Sequence, residues 1–476
     1  MNPVQANLNM LSNEQKDMIH QHSLTILKEV GVKLDSDRAM EVMAKCDGIR
    51  IVDQQAFISE EIVDWAVDNV PESIDIYNRQ GKRTFTLGGS QATTIFGIGV
   101  TNPNFHNLAD NEVIPFNRSH TAIAAGLCES LPEYELLSTP GIIETESASI
   151  PFPDIQTTAD MLAGTTKPLC LLVSDTAQFE SVLKMVEIVT GLNAETPCIV
   201  PYFNPVTPLV INDSTVLKME KTIQFGLPMI YSNYGMSGAT APITPAGTAA
   251  LLNAELLAGL VLSQLMKAGT PVILGSLPAG FDMRTMVSVY HPMTSQLNAI
   301  CAEMMAYYQV PHAGTSGSST GWAGDIHAGG MLWMNHFSAV CGNTGLAPFV
   351  GGNFDSLVFS PELVVLSAQI IRDCREFASP IQLDSSAVAI DEMKKTGSGG
   401  NFLTSGQTLK TMPSLRKKTP RIWENISVDS WKQRDKPRAE TVLREHTQTI
   451  LNSLKRPKDH QEIIARSDAY IGKLMT

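Results

Sequence analysis

Hydrophobic and polar positions follow two different patterns along this chain. Residues 11–70 show helical periodicity broken by short polar turns, and the first helix is predicted to start at a Ser-x-x-Gln capping box and to end at Gly31. From about residue 92, short β-rich runs are each followed by a turn cluster and a helix-length segment. The second pattern predicts repeated β–α units.

Eight short apolar runs are predicted to be strands. They are residues 92–96, 134–139, 168–174, 198–203, 228–233, 271–276, 310–315 and 347–352. Most end in Ser, Asn, Thr or Gly, and several begin beside a proline, which is tolerated at a strand's first residue. Eight such strands with polar carboxyl ends predict a TIM (β/α)8 barrel, in which those ends carry the ligand site.

Two alternatives stay open at this point. A doubly wound parallel sheet fits the same alternation of strands and helices. The run 92–96 is the least regular of the eight, and residues 380–384 could replace the eighth strand. We expect an N-terminal helical extension at 1–90, the catalytic barrel at 91–376 and a C-terminal helical segment at 377–476.

Composition narrows the class of protein. The 476 residues are 43% hydrophobic and carry a formal charge of −13, which excludes a disordered chain and argues against a nucleic-acid partner. The N-terminus lacks a secretory pattern, and the seven cysteines are spread without a C-x-x-C pair, so we expect a cytoplasmic protein. The apolar stretch 248–266 contains Glu255 and other polar residues, which predicts a core helix and no membrane contact. We expect Glu255 to satisfy buried backbone or a neighbour.

The common sequence motifs for nucleotide binding, nucleophilic catalysis and metal binding do not account for the function of this chain. It contains no P-loop, no strand-linked G-x-G-x-x-G, only a broken G-x-S-x-G at 314–318 and no H-E-x-x-H, so no metal site is predicted. Residues 325–330 spell D-x-H-x-x-G, the pattern with which cobalamin domains present a histidine to cobalt. Because it follows a polar run and no apolar strand, coincidence is the favoured interpretation.

Aromatic residues gather at or just beyond the predicted strand ends. They are Phe96, Tyr202, Phe203, Tyr231, Tyr234, Phe281, Trp322, Phe349 and Phe354. Aromatic rings around a barrel mouth would bind a quaternary ammonium ion, which cannot donate hydrogen bonds, through cation–π attraction. Packing of the barrel's top layer explains the same pattern, and both interpretations stay open.

Several blocks, in order along nearly the whole chain, resemble the trimethylamine methyltransferase superfamily. The longest is YGMSGATAPITPAGTAALLNAELLAGLVLSQLMKAGTPVILGS (234–276), and the others include TTKPLCLLVSD, the segment around GDIHAGG, SPELVVLSAQI and TGSGGNFLTSGQTLK. The chain is similar to the non-pyrrolysine branch, since it is read with ordinary amino acids throughout. It departs from relatives at His327, where they tend to have Gln, and at Gln407, where they often have His.

The resemblance implies a TIM-barrel methyltransferase. Its members move a methyl group from an amine nitrogen to the Co(I) corrinoid (cobalamin) of a separate carrier protein, so the corrinoid is expected on a partner and not permanently on this chain. The substrate implied for this branch is a quaternary amine, with glycine betaine first and proline betaine, carnitine or γ-butyrobetaine as variants. When the C–N bond of a quaternary amine breaks, the leaving group is a neutral tertiary amine, so no general acid is required. Catalysis then depends mainly on how the protein positions the substrate.

This interpretation gives a set of candidate site residues. We expect Phe203, Tyr231, Trp322 and Phe354, with Phe96, to form the aromatic cage. We expect Asn204, Asn233 and His327 to hydrogen-bond a substrate carboxylate, with Arg284 as a charged candidate for it. The catalytic candidates are Asp325 and His327, where Asp325 would balance the ammonium charge or orient His327. Besides the carrier protein and the amine, we expect a homo-oligomer. A non-catalytic betaine-binding protein and a metal-dependent barrel hydrolase are the alternatives of other classes.

Overall fold

The structure is a closed barrel of eight parallel strands, as predicted. The computed structural model describes residues 6–89, 93–143, 151–416 and 421–475. The strands are β1 (Ile95–Ile98), β2 (Leu136–Ser138), β3 (Leu169–Leu171), β4 (Ile199–Phe203), β5 (Met229–Ser237), β6 (Val272–Asp282), β7 (His312–Ala313) and β8 (Leu346–Val350). Each strand pairs with the next, and Leu346 of β8 pairs with Ile95 of β1, which closes the barrel. The doubly wound alternative is therefore excluded.

One helix follows each barrel strand. They are α1 (Arg118–Ser130), α2 (Pro153–Gly164), α3 (Thr176–Thr190), α4 (Asp213–Gln224), α5 (Pro245–Met266), α6 (Pro292–Tyr307), α7 (Ile326–Cys341) and α8 (Pro361–Ala378). Residues 380–384, considered as a substitute eighth strand, form no strand and lie exposed after α8. That alternative was wrong because β8 already closes the barrel.

The N-terminal extension is more mixed than the helical prediction. Its first helix, Asn13–Thr25, has the predicted capping box at Ser12 and continues as a π-helical turn to Gly31. Helices Asp37–Met43 and Glu60–Asn69 follow, but strands Val32–Asp35, Ile49–Val52 and Gln55–Ile58 form a small sheet with Val210–Asn212. The helical description of this part is corrected accordingly, while the boundaries at 90 and 376 stay predictions.

A hairpin closes the amino-terminal end of the barrel. Strands Ser73–Tyr77 and Arg83–Gly88 pair antiparallel just before β1. Their apolar side chains join the cluster inside the barrel, which contains Ile74, Ile76, Phe85, Leu87, Ile95, Leu136, Cys170, Val200, Tyr202, Ile230, Ile273, Ala313, Leu346 and Phe349. The barrel interior is thus a packed core at this end, and the expected position of the ligand site is the opposite, carboxyl end of the strands.

Helix α5 is the apolar core helix that the sequence predicts. It is the one described helix long and apolar enough to cross a membrane, but 89% of its most apolar window is buried inside the protein. Glu255, in the middle of α5, is 2% exposed and lies among the buried residues of the helix. The length and composition of α5 are therefore explained by packing.

Short strands and loops extend the carboxyl end of the barrel. Strands β5 and β6 stay paired as far as Ser237 and Gly280, and β6 then turns back into strand Val287–Val289. A second small sheet combines Asn104–Asn107, Glu112–Pro115, Gly352–Asn353 and Val358–Phe359. These additions stand around the mouth of the barrel.

The described residues after α8 contain helices and no strand, in agreement with the predicted helical segment. The helices are Ser385–Val388, Ile390–Thr396, Gly406–Arg416, Val428–Gln433, Ala439–Leu451 and His460–Leu474. The last two contribute Leu443, Ile463 and Ile471 to the core formed with the barrel helices. Helices Ser385–Val388 and Ile390–Thr396 bury no residue.

Candidate active site

The barrel mouth is the candidate site, and the alternation of side chains along each strand decides what faces it. On β4, Val200 and Tyr202 belong to the interior cluster, whereas Phe203 packs outside with the helices. On β5, Ile230 points inward and Tyr231 outward. Successive side chains of a strand point to opposite faces, so each neighbouring pair divides between interior and exterior.

Two buried aromatic rings form the floor of the mouth. Tyr202 and Phe349 meet edge to face with their centroids 5.1 Å apart. The register of β8 shifts between Ala347 and Val350, and this irregularity turns Phe349 inward although Leu346 also faces inward. Asn204 stands above the floor and donates from Nδ2 to the Tyr202 hydroxyl at 3.2 Å.

Two further tyrosines and one carboxyl group lie above this floor. Burial, followed by the nearby Asp355 carboxylate, raises the pKa of the Tyr290 hydroxyl, with smaller contributions from Tyr234 and Tyr202. Burial also raises the pKa of Tyr234, and Asp355 adds to the effect. The three tyrosines and Asp355 are therefore grouped around one space, on β4, β5, the segment before α6 and the loop after β8.

The loop that carries Asp355 has an unusual backbone. Phe354, Asp355 and Ser356 all have positive φ, at 47°, 56° and 63°. Residues other than glycine pay for this conformation, so three in succession must be held by their surroundings. The Asp355 N–H donates to the carbonyl of Ser319 at 2.9 Å, and the Ser356 hydroxyl lies 2.5 Å from that of Ser318. The β7–α7 loop thus fixes Asp355 over the mouth.

The Asp355 carboxyl group has no hydrogen-bond or ion-pair partner among the described residues. Burial without a compensating partner raises its pKa to about 7. A carboxylate in this state has unused capacity for a positive charge. The Asp355 carboxylate lies beside the tyrosine rings. The mouth therefore combines the two kinds of group that bind organic cations, an anion and aromatic faces.

Three of the predicted cage residues do not face the mouth. Phe96, Phe203 and Tyr231 are at most 4% exposed and pack between the strands and the outer helices. Phe96 lies edge-on to His336 of α7, and the ring of Tyr231 fills the space at Gly259 of α5. The expectation that they line a cage is corrected, because their positions on the strands direct them outward.

Asn233 also points outward and belongs to a buried network. Its Nδ2 donates to the Leu252 carbonyl at 2.8 Å and to Glu255 at 3.0 Å. Glu255 also accepts hydrogen bonds from the Thr207 hydroxyl and the Leu209 N–H. Burial raises the pKa of Glu255 to about 7 although these bonds oppose the shift. Glu255 therefore satisfies buried backbone and neighbours, as expected, and Asn233 is no carboxylate ligand in the mouth.

Asp325 and His327 lie at the start of α7. The Asp325 carboxylate caps the helix by accepting from the N–H groups of Ala328 at 2.7 Å and Trp322 at 2.9 Å. Burial alone would raise the pKa of Asp325, but its backbone donors lower it. His327 is exposed, with Nε2 3.1 Å from the Thr320 hydroxyl. Asp325 has a structural role that accounts for its contacts, and a catalytic role for either residue stays a prediction.

The D-x-H-x-x-G pattern is explained by the start of helix α7. Its Asp and His belong to the loop and first turn of a barrel helix, and no flavodoxin-like sheet precedes them. This context favours the coincidence that the sequence indicated.

The other predicted residues lie on the rim of the mouth or beyond it. Trp322 is 72% exposed, Phe354 is 37% exposed, and both belong to the loops that hold Asp355. Arg284 is exposed in the turn that follows β6, where its N–H donates to Asp282. Contact of these residues with a substrate stays a prediction.

Sequence reasoning missed Tyr290 and Asp355. Asp355 directly follows the predicted Phe354, and the tripeptide NFD after a predicted strand end was the available signal. Tyr290 lies outside every predicted strand, so nothing in the pattern placed it at the mouth.

No cluster of three or more His, Cys, Asp or Glu side chains in the described part of the chain could hold a metal ion. The alternative of a metal-dependent hydrolase therefore lacks a ligand set there.

Comparison with known proteins agrees with this architecture. The family model for trimethylamine methyltransferase matches residues 2–475. The chain belongs to this family. It is 24% identical to the glycine betaine methyltransferase of Desulfitobacterium hafniense over 474 residues, 98% of this chain and 97% of that protein. It is 26% identical to a trimethylamine methyltransferase of the same species over 409 residues, 84% and 81% of the two chains.

A solved structure supports the fold. The monomethylamine methyltransferase of Methanosarcina barkeri matches with a TM-score of 0.53 over 96% of both chains, at 9% identity. Methyl transfer in methylamine metabolism is thus the general activity of the trimethylamine methyltransferase family to which this protein belongs.

Proposed function

We propose that this protein transfers a methyl group from a quaternary amine to the Co(I) corrinoid of a separate carrier protein. The donor would leave as a tertiary amine, which is dimethylglycine if the donor is glycine betaine. The choice of glycine betaine as donor rests on the name of one relative, at 24% identity. The choice of a corrinoid as acceptor rests on the family resemblance. The observation that carries the proposal is an unpartnered carboxylate, Asp355, beside three tyrosines at a barrel mouth.

The mouth suits a donor that carries permanent charge. Tyrosine faces attract a quaternary ammonium by about 0.5 to 2 kcal/mol each in such sites. Asp355 supplies the opposite charge, and the hairpin packed into the amino-terminal end of the barrel blocks approach from that side. No acid is needed, because the broken C–N bond leaves its electron pair on a nitrogen that becomes neutral.

Positioning is then the main task of the protein. The methyl carbon must point out of the mouth toward the cobalt, with the C–N bond in line with the attack. The floor made by Tyr202 and Phe349 limits how deep the ammonium group can sit. The transfer gives the carbon a new bond to cobalt, whose electron pair comes from the reduced metal of the carrier.

The rim offers an apolar surface for docking of the carrier. Trp322 is 72% exposed and Ile326, the first residue of α7, is 88% exposed. We expect Ile326→Asp to lower turnover with the protein-bound corrinoid at least about tenfold, because a charge would enter an apolar contact. Amine binding, followed by calorimetry, should not change. Ile381→Asp, at an 80% exposed position after the far end of α8, is the matched control and should leave turnover as in the wild type.

The central experiment is a methyl-transfer assay. The protein is mixed with reduced Co(I) cobalamin and a panel of quaternary and tertiary amines, and formation of methyl-Co(III) is followed by its absorbance. Reaction with a quaternary amine is expected. Silence with every quaternary amine while a tertiary amine reacts would refute the branch assignment, and binding without any methyl transfer would favour the non-catalytic alternative.

A further inference from the structure

The charge balance of the barrel mouth bears on which quaternary amine fits. The side chains gathered there are Tyr202, Asn204, Tyr234, Tyr290, Phe349 and Asp355, and none of them is a cation. Their one ionisable group of low intrinsic pKa is an acid. A betaine brings both a positive and a negative group, and this mouth provides a complement for the positive group only.

A second cavity on the same face of the barrel is acidic as well. It has a volume of about 430 Å³ and lies over the carboxyl ends of β1, β2 and β3. Asp154 and Asp175 belong to its lining, which includes no lysine or arginine. The Lys218 ammonium acts on both carboxylates, so the described residues on this side carry one more acidic group than basic groups.

Arg284 is the basic residue that could have compensated for this. It lies in the turn that joins β6 to the returning strand Val287–Val289. Its side chain is exposed in the turn, and it makes no ion pair with a described residue. No described contact joins Arg284 to Asp355 or to the tyrosines of the mouth.

We infer that the mouth selects a quaternary ammonium donor whose remaining arm carries no carboxylate, that is, a hydroxyalkyl- or alkyl-trimethylammonium cation. This rests on the proposed function, whose donor class it narrows. Asp355 pairs with the ammonium group, and the neutral arm lies toward Asn204, which can hydrogen-bond a hydroxyl group. A betaine carboxylate, a few ångströms from its own nitrogen, is repelled by Asp355 and finds no cationic side chain among the residues described at the mouth.

The reaction with such a donor balances. The bond between nitrogen and one methyl carbon breaks, and its electron pair stays on nitrogen as a neutral tertiary amine. The methyl carbon bonds to cobalt, which supplies both electrons as Co(I) and becomes methyl-Co(III). Choline, for example, would give dimethylaminoethanol, and no proton is taken up or released.

The test compares choline with glycine betaine on the intact protein. Affinity is measured by calorimetry without cobalamin, and turnover by the absorbance of methyl-Co(III) with reduced cobalamin. We expect choline to bind at least about tenfold more tightly than glycine betaine and to have the higher kcat/KM. Asp355→Asn should reduce the affinity for choline about 30-fold or more and affect glycine betaine much less. Asn tolerates the left-handed backbone at this position, so the loop should be kept.

Two controls separate the possible outcomes. Arg284→Gln should change neither affinity, and Asp391→Asn, a carboxylate with an 88% exposed side chain on helix Ile390–Thr396, should behave as the wild type. Tighter binding and faster turnover of glycine betaine, with an affinity that depends on Arg284, would overturn the inference and leave the proposed function standing. Binding of choline without methyl transfer from any amine would refute the proposed function while the selectivity of the mouth remained.

Discussion

At the residue scale, Asp355 combines a cost in stability with a capacity for binding. The pKa of Asp355 in the folded protein is about 7, above the ordinary value of 3.8. Between pH 3.8 and pH 7, the folded protein therefore keeps a proton on Asp355 that the unfolded chain has lost. Stability contributed in this way is present below pH 4 and is lost as the pH rises to about 7. At neutral pH, the folded protein therefore keeps this carboxylate at the expense of stability.

Replacing Asp355 by Asn should stabilise the protein. The amide needs no charge to be desolvated, and we expect the free energy of unfolding at pH 8 to increase by about 1 to 3 kcal/mol, with a higher Tm. Urea unfolding of the two proteins measures the difference. A loss of stability in the variant would mean that the Asp355 carboxylate has a favourable partner in the folded state.

The same residue should set the pH dependence of the reaction. A cation binds the ionised carboxylate, so kcat/KM should fall about tenfold per pH unit below about 7 and level off above it. The groups that face Asp355 are Tyr234 and Tyr290, whose raised pKa values keep them neutral over this range, while His327 is exposed on the rim. The acid limb should disappear in Asp355→Asn, and its persistence there would assign it to another group.

At the scale of the elements, the sequence predicted all eight strands but not which residues of each strand face inward. Strand β4 is buried at every position, as are the five residues of β8. Strands covered on both faces show no alternation of polarity, so the pattern could not distinguish Tyr202 from Phe203. For β8, an irregularity in register turns Phe349 inward, and no periodic pattern predicts where such an irregularity falls.

The mouth was harder to predict because its walls come from non-repeating segments. Tyr290 directly follows strand Val287–Val289, which pairs with the end of β6. Asp355 lies in a run of residues with positive φ that hydrogen bonds from the β7–α7 loop hold in place. Both positions depend on contacts between distant parts of the chain. The aromatic character of the strand ends was visible in the sequence, whereas the carboxylate that accompanies it was not.

The hairpin before β1 should be part of the cooperative core. Leu87 is fully buried in the barrel interior, so Leu87→Ala should lower the free energy of unfolding by about 2 to 5 kcal/mol. Thr84→Ala, at an exposed position of the same strand, is the matched control and should change it by less than about 0.5 kcal/mol. Equal effects of the two substitutions in urea unfolding would show that the hairpin does not pack into the barrel.

At the scale of the whole molecule, the last two C-terminal helices share one hydrophobic core with the helices around the barrel. The homo-oligomer and the cytoplasmic location expected from the sequence stay predictions, and sedimentation of the intact chain tests the first. The seven cysteines are free, and all but Cys46 are buried, which agrees with thiols that take no part in a disulfide framework.

The hairpin that fills one end of the barrel also dictates a sequence of events. With that end blocked, the donor and the demethylated amine of the proposed reaction would both pass through the barrel mouth, and the proposed carrier would cover the same mouth to receive the carbon. The amine must therefore enter before the carrier arrives, and the product can depart only after the carrier has left. Initial-rate kinetics should show compulsory order with the amine first, and excess carrier should inhibit by trapping the empty enzyme.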